Sequence, residues 1–268
     1  RCADQLCVGS DLAPIQKFDA EGNLIVSFGA DMFLRPHGIH IDADGNVWVT
    51  DAEGPNGEDP RRDGKGHQVF KFSPTGELLM TLGKAGVAGD GADEFNMPSA
   101  VFVAPNGDIF IGDGHEGASN ARMLKFSADG TFIKTWGKPG TAPGDFELPH
   151  GIAMDSRGRL FVGDRGNGRV QIFDQDGNFL EEWKQFGRPS GIFIDQNDML
   201  YVADHTATEA APGWKEGIRI GSVTDGKVIQ FIPDPHGDGS QEGVAVDIDG
   251  NIYASLTSGM ALRQWVKP

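Results

Sequence analysis

Two histidines sit in one shared frame, Pro36-His37-Gly38-Ile39 and Pro149-His150-Gly151-Ile152. An imidazole carries protons near neutral pH and is the commonest metal ligand among side chains. Three variants of the frame follow the same pattern: Pro98-Ser99-Ala100, Pro189-Ser190-Gly191 and Gln241-Glu242-Gly243. The residues at the matched place are thus His37, Ser99, His150, Ser190 and Glu242. Two imidazoles and a carboxylate at matched places form a ligand set. Three protein ligands with an open side suit Zn2+ at a catalytic site, and the same set suits Fe2+ or another divalent ion.

Each frame opens a longer unit. Its pattern is Pro-x-Gly-[apolar]-x-[apolar]-Asp, a Gly turn, then an apolar segment ending in Asp, then two alternating segments split by a second Gly turn. The units begin at Arg35, Met97, Leu148, Arg188 and Gln241, and their second segments read VWVTD, IFIGD, LFVGD, LYVAD and IYASL. Alternation bounded by Gly, Asn and Asp predicts strands joined by tight turns. Four short strands repeating roughly every 40–60 residues are the sequence form of a β-propeller blade. At the N-terminal end QLCVG, PIQKF and NLIVSFG read as strands two, three and four of a first blade that lacks its first strand. The repeat at Arg188 carries an insertion over 207–221 and resumes at KVIQFIP. The last repeat offers three strands. The expected fold is all-β: a six-bladed β-propeller of four-stranded antiparallel blades, one domain over residues 1–268.

In such a ring the first strand of each blade lines the channel, and its start lies on one face near the axis. His37, His150 and Glu242 fall on repeats two, four and six. Alternate blades of six are about 120° apart, so the three ligands are expected to converge on the axis. The second strand returns antiparallel, so its end reaches the same face. Those ends and their loops add Asp51, Asp113, His115, Asp164, Arg165, Asp204 and His205. An Asp at each strand end reads as an acceptor for backbone N–H groups in the turn that follows. Asp51 and His205 are also candidates for contact with substrate. Arg165 stands where Ala52, Gly114 and His205 follow the Asp elsewhere, and a guanidinium there suits bidentate capture of a carboxylate.

The repeat resembles the NHL repeat over nearly the whole chain. More narrowly, RPHGIHIDADGNVWVTD, LPHGIAMDSRGRLFVGDRGNGRVQIF and the 113–122 stretch resemble bacterial relatives of peptidyl-α-hydroxyglycine α-amidating lyase. That resemblance implies a metal-dependent lyase that cleaves the C–N bond of an α-hydroxylated amide, giving an amide and glyoxylate. The family holds its metal with three histidines; His37 and His150 match two, and Glu242 replaces the third. Arg165 matches a catalytic arginine of the family, while Arg169 in the same stretch reads as a packing residue. A second family arginine falls near Arg1. The family's general base is a tyrosine in a DGY segment, which here reads Asp113-Gly114-His115. His115 would then move the proton, with a pKa nearer neutrality. The family also carries a structural calcium, but the acidic residue expected for it is Gly243 here, which argues against calcium. Two other classes stay open: a metal-dependent hydrolase of the lactonase or esterase type, in which the ion activates water, and a non-catalytic NHL binding module.

Composition excludes several partners. The formal charge is −16 and no basic stretch is long enough to follow a phosphate backbone, which excludes nucleic acid. No apolar run approaches the roughly 18 residues of a membrane helix. A small-molecule or peptide-derived substrate and a monomeric chain are expected. The DADGN, DQDGN and DIDGN segments lack the later ligands of a calcium loop and read as hairpin turns. Cys2 and Cys7, close together near one end, predict a disulfide loop and with it a secreted protein, periplasmic or extracellular. With neither an initiator Met nor a signal peptide, the sequence reads as a mature or trimmed form.

Overall fold

The computed structural model describes residues 7–8, 10, 12–117, 119–205, 214–235, 237, 241–257 and 261–267. The chain forms two compact units, Arg1–Trp136 and Gly137–Pro268. In the first unit β1 (Ile15–Phe18) and β2 (Leu24–Phe28) form a hairpin. One blade follows as β3 (Pro36–Ile41), β4 (Val47–Asp51), β5 (Gln68–Phe72) and β6 (Leu78–Leu82). The next is β7 (Pro98–Val103), β8 (Ile109–Asp113), β9 (Arg122–Phe126) and β10 (Phe132–Trp136). The second unit holds β11 (Pro149–Met154), β12 (Leu160–Asp164), β13 (Arg169–Phe173) and β14 (Phe179–Trp183). It continues with β15 (Pro189–Ile194), β16 (Met199–Asp204), β17 (Gly217–Ser222) and β18 (Val228–Pro233), then β19 (Gln241–Val246), β20 (Ile252–Leu256) and β21 (Ala261–Trp265). Every neighbouring pair of these strands is antiparallel, the first with the second and, where a fourth is present, the third with the fourth of each blade through short turns, most of them Gly-containing.

The expected six blades become five among the described residues: four of four strands, one of three, with β1–β2 as a separate hairpin. Among the described residues the first repeat supplies only its third and fourth strands. Of QLCVG only Cys7 and Val8 are described; Cys7 is a buried core residue whose N–H donates to Leu34 O at 2.7 Å. The 120° spacing argued for the ligand residues assumed six equal blades and falls with that count. What stands is the equivalence of their strand positions. The expected 207–221 insertion is also shorter at its far end, since Gly217–Ser222 is the third strand and KVIQFIP holds the fourth.

The second strands are buried on both faces, which explains their near-continuous apolar runs. One cluster joins Trp48 and Val69 of one blade to Val101, Ile109, Ile111 and Leu124 of the next. A matching cluster in the second unit joins Phe161, Val170 and Ile172 to Ile192, Leu200 and Val202. Blade faces thus stack on one another. Each such buried side chain contributes about 1.5–3 kcal/mol; Leu124→Ala, which opens a cavity, would cost about 3 kcal/mol. The outer strands β2, β6, β10 and β14 are partly exposed and carry the polar alternation.

A second mark of the repeat pins the start of each first strand. Phe33, Phe95, Phe146 and Phe186 each lie three residues before the frame's proline, and all are at most 1% exposed. Three pack on their own blade's third strand, Phe33 on Phe70 at 5.1 Å, Phe95 on Phe126 at 6.1 Å and Phe146 on Phe173 at 5.7 Å, whereas Phe186 packs on Trp183 at the end of the preceding blade's fourth strand, at 5.9 Å. Hairpin pairing sets Pro36 opposite Asp51 and Pro149 opposite Asp164. The terminal aspartates therefore accept from backbone N–H groups before the first strand, not from the turn that follows them. Asp51 takes Leu34 and Arg35, Asp113 takes Asn96, Asp164 takes Glu147, and Asp204 takes Arg188.

Candidate functional site

In the second unit His150 sits at the head of β11. Its Nδ1 lies 3.1 Å from the carbonyl oxygen of Ser190, at the matched place on β15. A carbonyl only accepts, so Nδ1 carries the proton and the lone pair of the neutral ring is on Nε2. Burial, the largest influence, pushes the His150 pKa below its ordinary value. The frame's glycine permits this anchor: a Cβ on Gly151 would lie 2.7 Å from Ser190 O.

Glu242, at the matched place on β19, brings Oε1 to 2.9 Å from His150 Nε2. Its Oε2 lies 3.2 Å from His205 Nε2. Burial pushes this carboxyl up. Its contacts with His150, His205 and Arg165 outweigh burial and hold Glu242 well below the usual carboxylate range. Arg165 follows Asp164 at the end of β12, and its N–H donates to Leu148 O at 2.8 Å. Its Nη1 lies 3.0 Å from His150 Nε2 and 3.0 Å from Glu242 Oε1. His205 follows Asp204 at the end of β16 and lies 3.4 Å from Thr257 Oγ1; burial lowers its pKa. The fold of this unit thus brings His150, Glu242, Arg165 and His205 together.

In the first unit His37 heads β3, and its Nδ1 lies 2.7 Å from Ser99 O, the matched carbonyl on β7. A Cβ on Gly38 would stand 2.5 Å from that oxygen. His37 therefore repeats the His150 tautomer, with its lone pair on Nε2. His115, buried in the loop after β8, meets the His37 ring edge to face with centroids 4.3 Å apart. Its Nδ1 is 3.1 Å from Glu116 Oε1, which also pairs with Arg35 Nη1 at 3.1 Å. Sequence reasoning passed over Glu116; its signal was an acid directly after the one histidine in that loop.

Other expected residues lie elsewhere. Asp51 is fully buried beneath the frame, its oxygens turned to the Leu34 and Arg35 amides, and burial raises its pKa to about 6. Arg169 is a packing residue: it pairs with Asp164 at 2.9 Å and donates to the carbonyls of Thr141, Ala142 and Asp145. The same Asp–Arg pairing recurs as Asp113–Arg122 and Asp204–Arg219. Arg1 and Cys2 lie outside the described residues.

The donor chemistry suits a divalent ion. His150 Nε2 and Glu242 Oε1 are two potential ligand atoms 2.9 Å apart, with Arg165 Nη1 3.0 Å from each. An imidazole fixed through its Nδ1–H to a carbonyl is the common outer support of a metal-binding histidine, and both His37 and His150 have it.

An NHL repeat matches residues 146–173. Peptidyl-glycine alpha-amidating monooxygenase B of Xenopus laevis is 34% identical over 86% of this chain and 26% of its own length. Peptidyl-alpha-hydroxyglycine alpha-amidating lyase 1 of Drosophila melanogaster is 36% identical over 61% of this chain and 30% of its own. NHL repeat-containing protein 3 of Homo sapiens is 38% identical over 84% of this chain and 64% of its own. The chain thus spans about a quarter of the length of the monooxygenase it matches. These relatives are animal proteins, where the sequence resemblance pointed to bacterial ones. Among solved structures, a streptogramin B lyase superposes with TM-score 0.60 at 16% identity, covering 94% of this chain and 76% of its own, which shows the β-propeller fold.

Proposed function

We propose that this chain is a metal-dependent carbon–nitrogen lyase acting on an α-hydroxylated amide. The similarity to peptidyl-alpha-hydroxyglycine alpha-amidating lyase supports it. The observation that carries it is the meeting of His150 Nε2 and Glu242 Oε1 at 2.9 Å beside Arg165. His150 and Glu242 would hold the ion, with His37 as third ligand on the equivalence of its strand position and tautomer. Zn2+ fits this donor set first. When bound, the ion supplies a Lewis acid that favours the ionised form of the substrate hydroxyl.

The remaining steps belong to the chain. Arg165 orients the substrate carboxylate by paired N–H donors. His115 takes the hydroxyl proton as the C–N bond breaks. The carbon keeps its oxygen as an aldehyde, and the amide nitrogen takes the bonding electron pair and a proton. The products are an amide and glyoxylate, with no oxidant consumed. His205, on the far oxygen of Glu242, fixes the carboxylate's orientation. Arg1 enters as a second arginine beside the substrate. The proposal extends to a Cys2–Cys7 disulfide, an oxidising extracytoplasmic compartment and a monomeric chain.

The test is release of glyoxylate from an α-hydroxyglycine amide before and after chelation. The lyase predicts release that falls on chelation and returns with Zn2+. Lactone hydrolysis without glyoxylate release would replace it with a hydrolase. Absence of both activities in folded, metal-loaded protein would leave a binding module.

A further inference from the structure

Arg165 contacts both of the atoms that the proposed ion would use. Its Nη1 is 3.0 Å from His150 Nε2 and 3.0 Å from Glu242 Oε1, and Ser190 Oγ lies 3.5 Å away. The two acceptors are 2.9 Å apart. One nitrogen with two N–H groups therefore donates one to each, and the positive guanidinium is what reconciles two lone pairs at that separation. The residue is 7% exposed. A divalent ion and this nitrogen cannot use the same two lone pairs, so they exclude one another.

We infer that Arg165 is an internal competitor for the cation seat formed by His150 and Glu242, and that its release couples metal binding to carboxylate capture. This rests on the metal site proposed above. Binding of the ion expels the guanidinium from the pair. A buried guanidinium without an anion is costly, and a substrate carboxylate supplies that anion. Each ligand therefore favours the other, and the linkage is reciprocal. Replacing Arg165 by a neutral side chain removes both the competitor and the linkage: metal binds more tightly, and a carboxylate no longer helps it.

The measurement is Zn2+ affinity of the whole chain by competition with a chromophoric chelator, with and without acetate and corrected for zinc acetate. Arg165→Met and Arg165→Lys are compared with wild type after circular dichroism confirms folding. In wild type, acetate should tighten Zn2+ binding by about threefold or more. Arg165→Met should bind Zn2+ about tenfold more tightly than wild type and lose the acetate effect. Arg165→Lys keeps the charge and most of the packing, and should fall between them. Equal or weaker Zn2+ binding by folded Arg165→Met overturns the inference while leaving the metal site intact. If Arg165→Met does not fold, Arg165→Lys decides on the same two criteria. Absence of Zn2+ binding in all three proteins overturns the metal site itself and the inference with it.

Discussion

The heads of β3 and β11 carry the same four residues and the same anchor, yet differ in what they face. His37 and His150 each give Nδ1–H to the serine carbonyl at the matched place on the next first strand. Beyond that the two diverge. His150 meets a carboxylate and a guanidinium; His37 meets the ring of His115. The strands differ as well: Ile152 is 8% exposed on β11, whereas its counterpart Ile39 on β3 is 62% exposed. The repeat fixes the backbone anchor and the tautomer. Residues that differ from one repeat to the next, namely Glu242, Arg165 and His115, decide the chemistry.

The sharpest way to break the comparison is Glu242→Ala. It strips His150 of its carboxylate partner and removes the carboxylate from Arg165 Nη1. Metal binding should fall at least about 100-fold, and stability by about 3 kcal/mol for a half-buried pair broken on one side; chemical denaturation and metal titration check this. Unaltered metal binding would remove Glu242 from the ligand set.

The next effect separates the strands. Ile152→Ala should cost about 2–3 kcal/mol by cavity formation, while Ile39→Ala should stay within about 0.5 kcal/mol. Equal losses in urea unfolding would contradict the difference in burial. Gly151→Ala tests the shared anchor, since its Cβ would crowd Ser190 O at 2.7 Å. A loss of about 1–2 kcal/mol is expected from overpacking, with weaker metal binding because the His150 ring is displaced.

Acid sharpens the contrast between the two faces of β3. His40 packs against Phe102 with ring centroids 4.7 Å apart, and burial lowers its pKa from 6.5 to about 4, against the smaller upward pull of Asp42. The folded state thus binds a proton there less readily than the unfolded chain. The stability it contributes is complete above pH 6.5 and lost as pH falls towards 4, by about 3 kcal/mol at most. His40→Ala, which gives β3 the residue of β11 at that place, should flatten the slope of stability between pH 6.5 and 4; an unchanged slope would assign it to another group. The smallest effect is expected from Ser190→Ala. The anchor is a backbone carbonyl, so metal binding should change less than about threefold.

The strands and the matched places of His37, His150 and Glu242 were legible because blade packing imposes an apolar period and the frame needs Pro and Gly at fixed positions. The phenylalanine three residues before the proline was equally legible and marks four repeats. The blade count was not, because the first repeat supplies only its outer strands among the described residues. The serines at the matched places bring no ligand side chain to the set. Their role is carried by backbone oxygens, which side-chain identity cannot show. Nor could spacing reveal that Arg165 turns onto Glu242, a partner from another blade.

Elemental analysis of the purified, folded chain bears most directly on the metal site. About one zinc or other divalent ion per chain is predicted for wild type, and less than about a tenth of that for His150→Ala and Glu242→Ala. Glyoxylate release by folded protein with no stoichiometric metal, or full metal content in both variants, would contradict it.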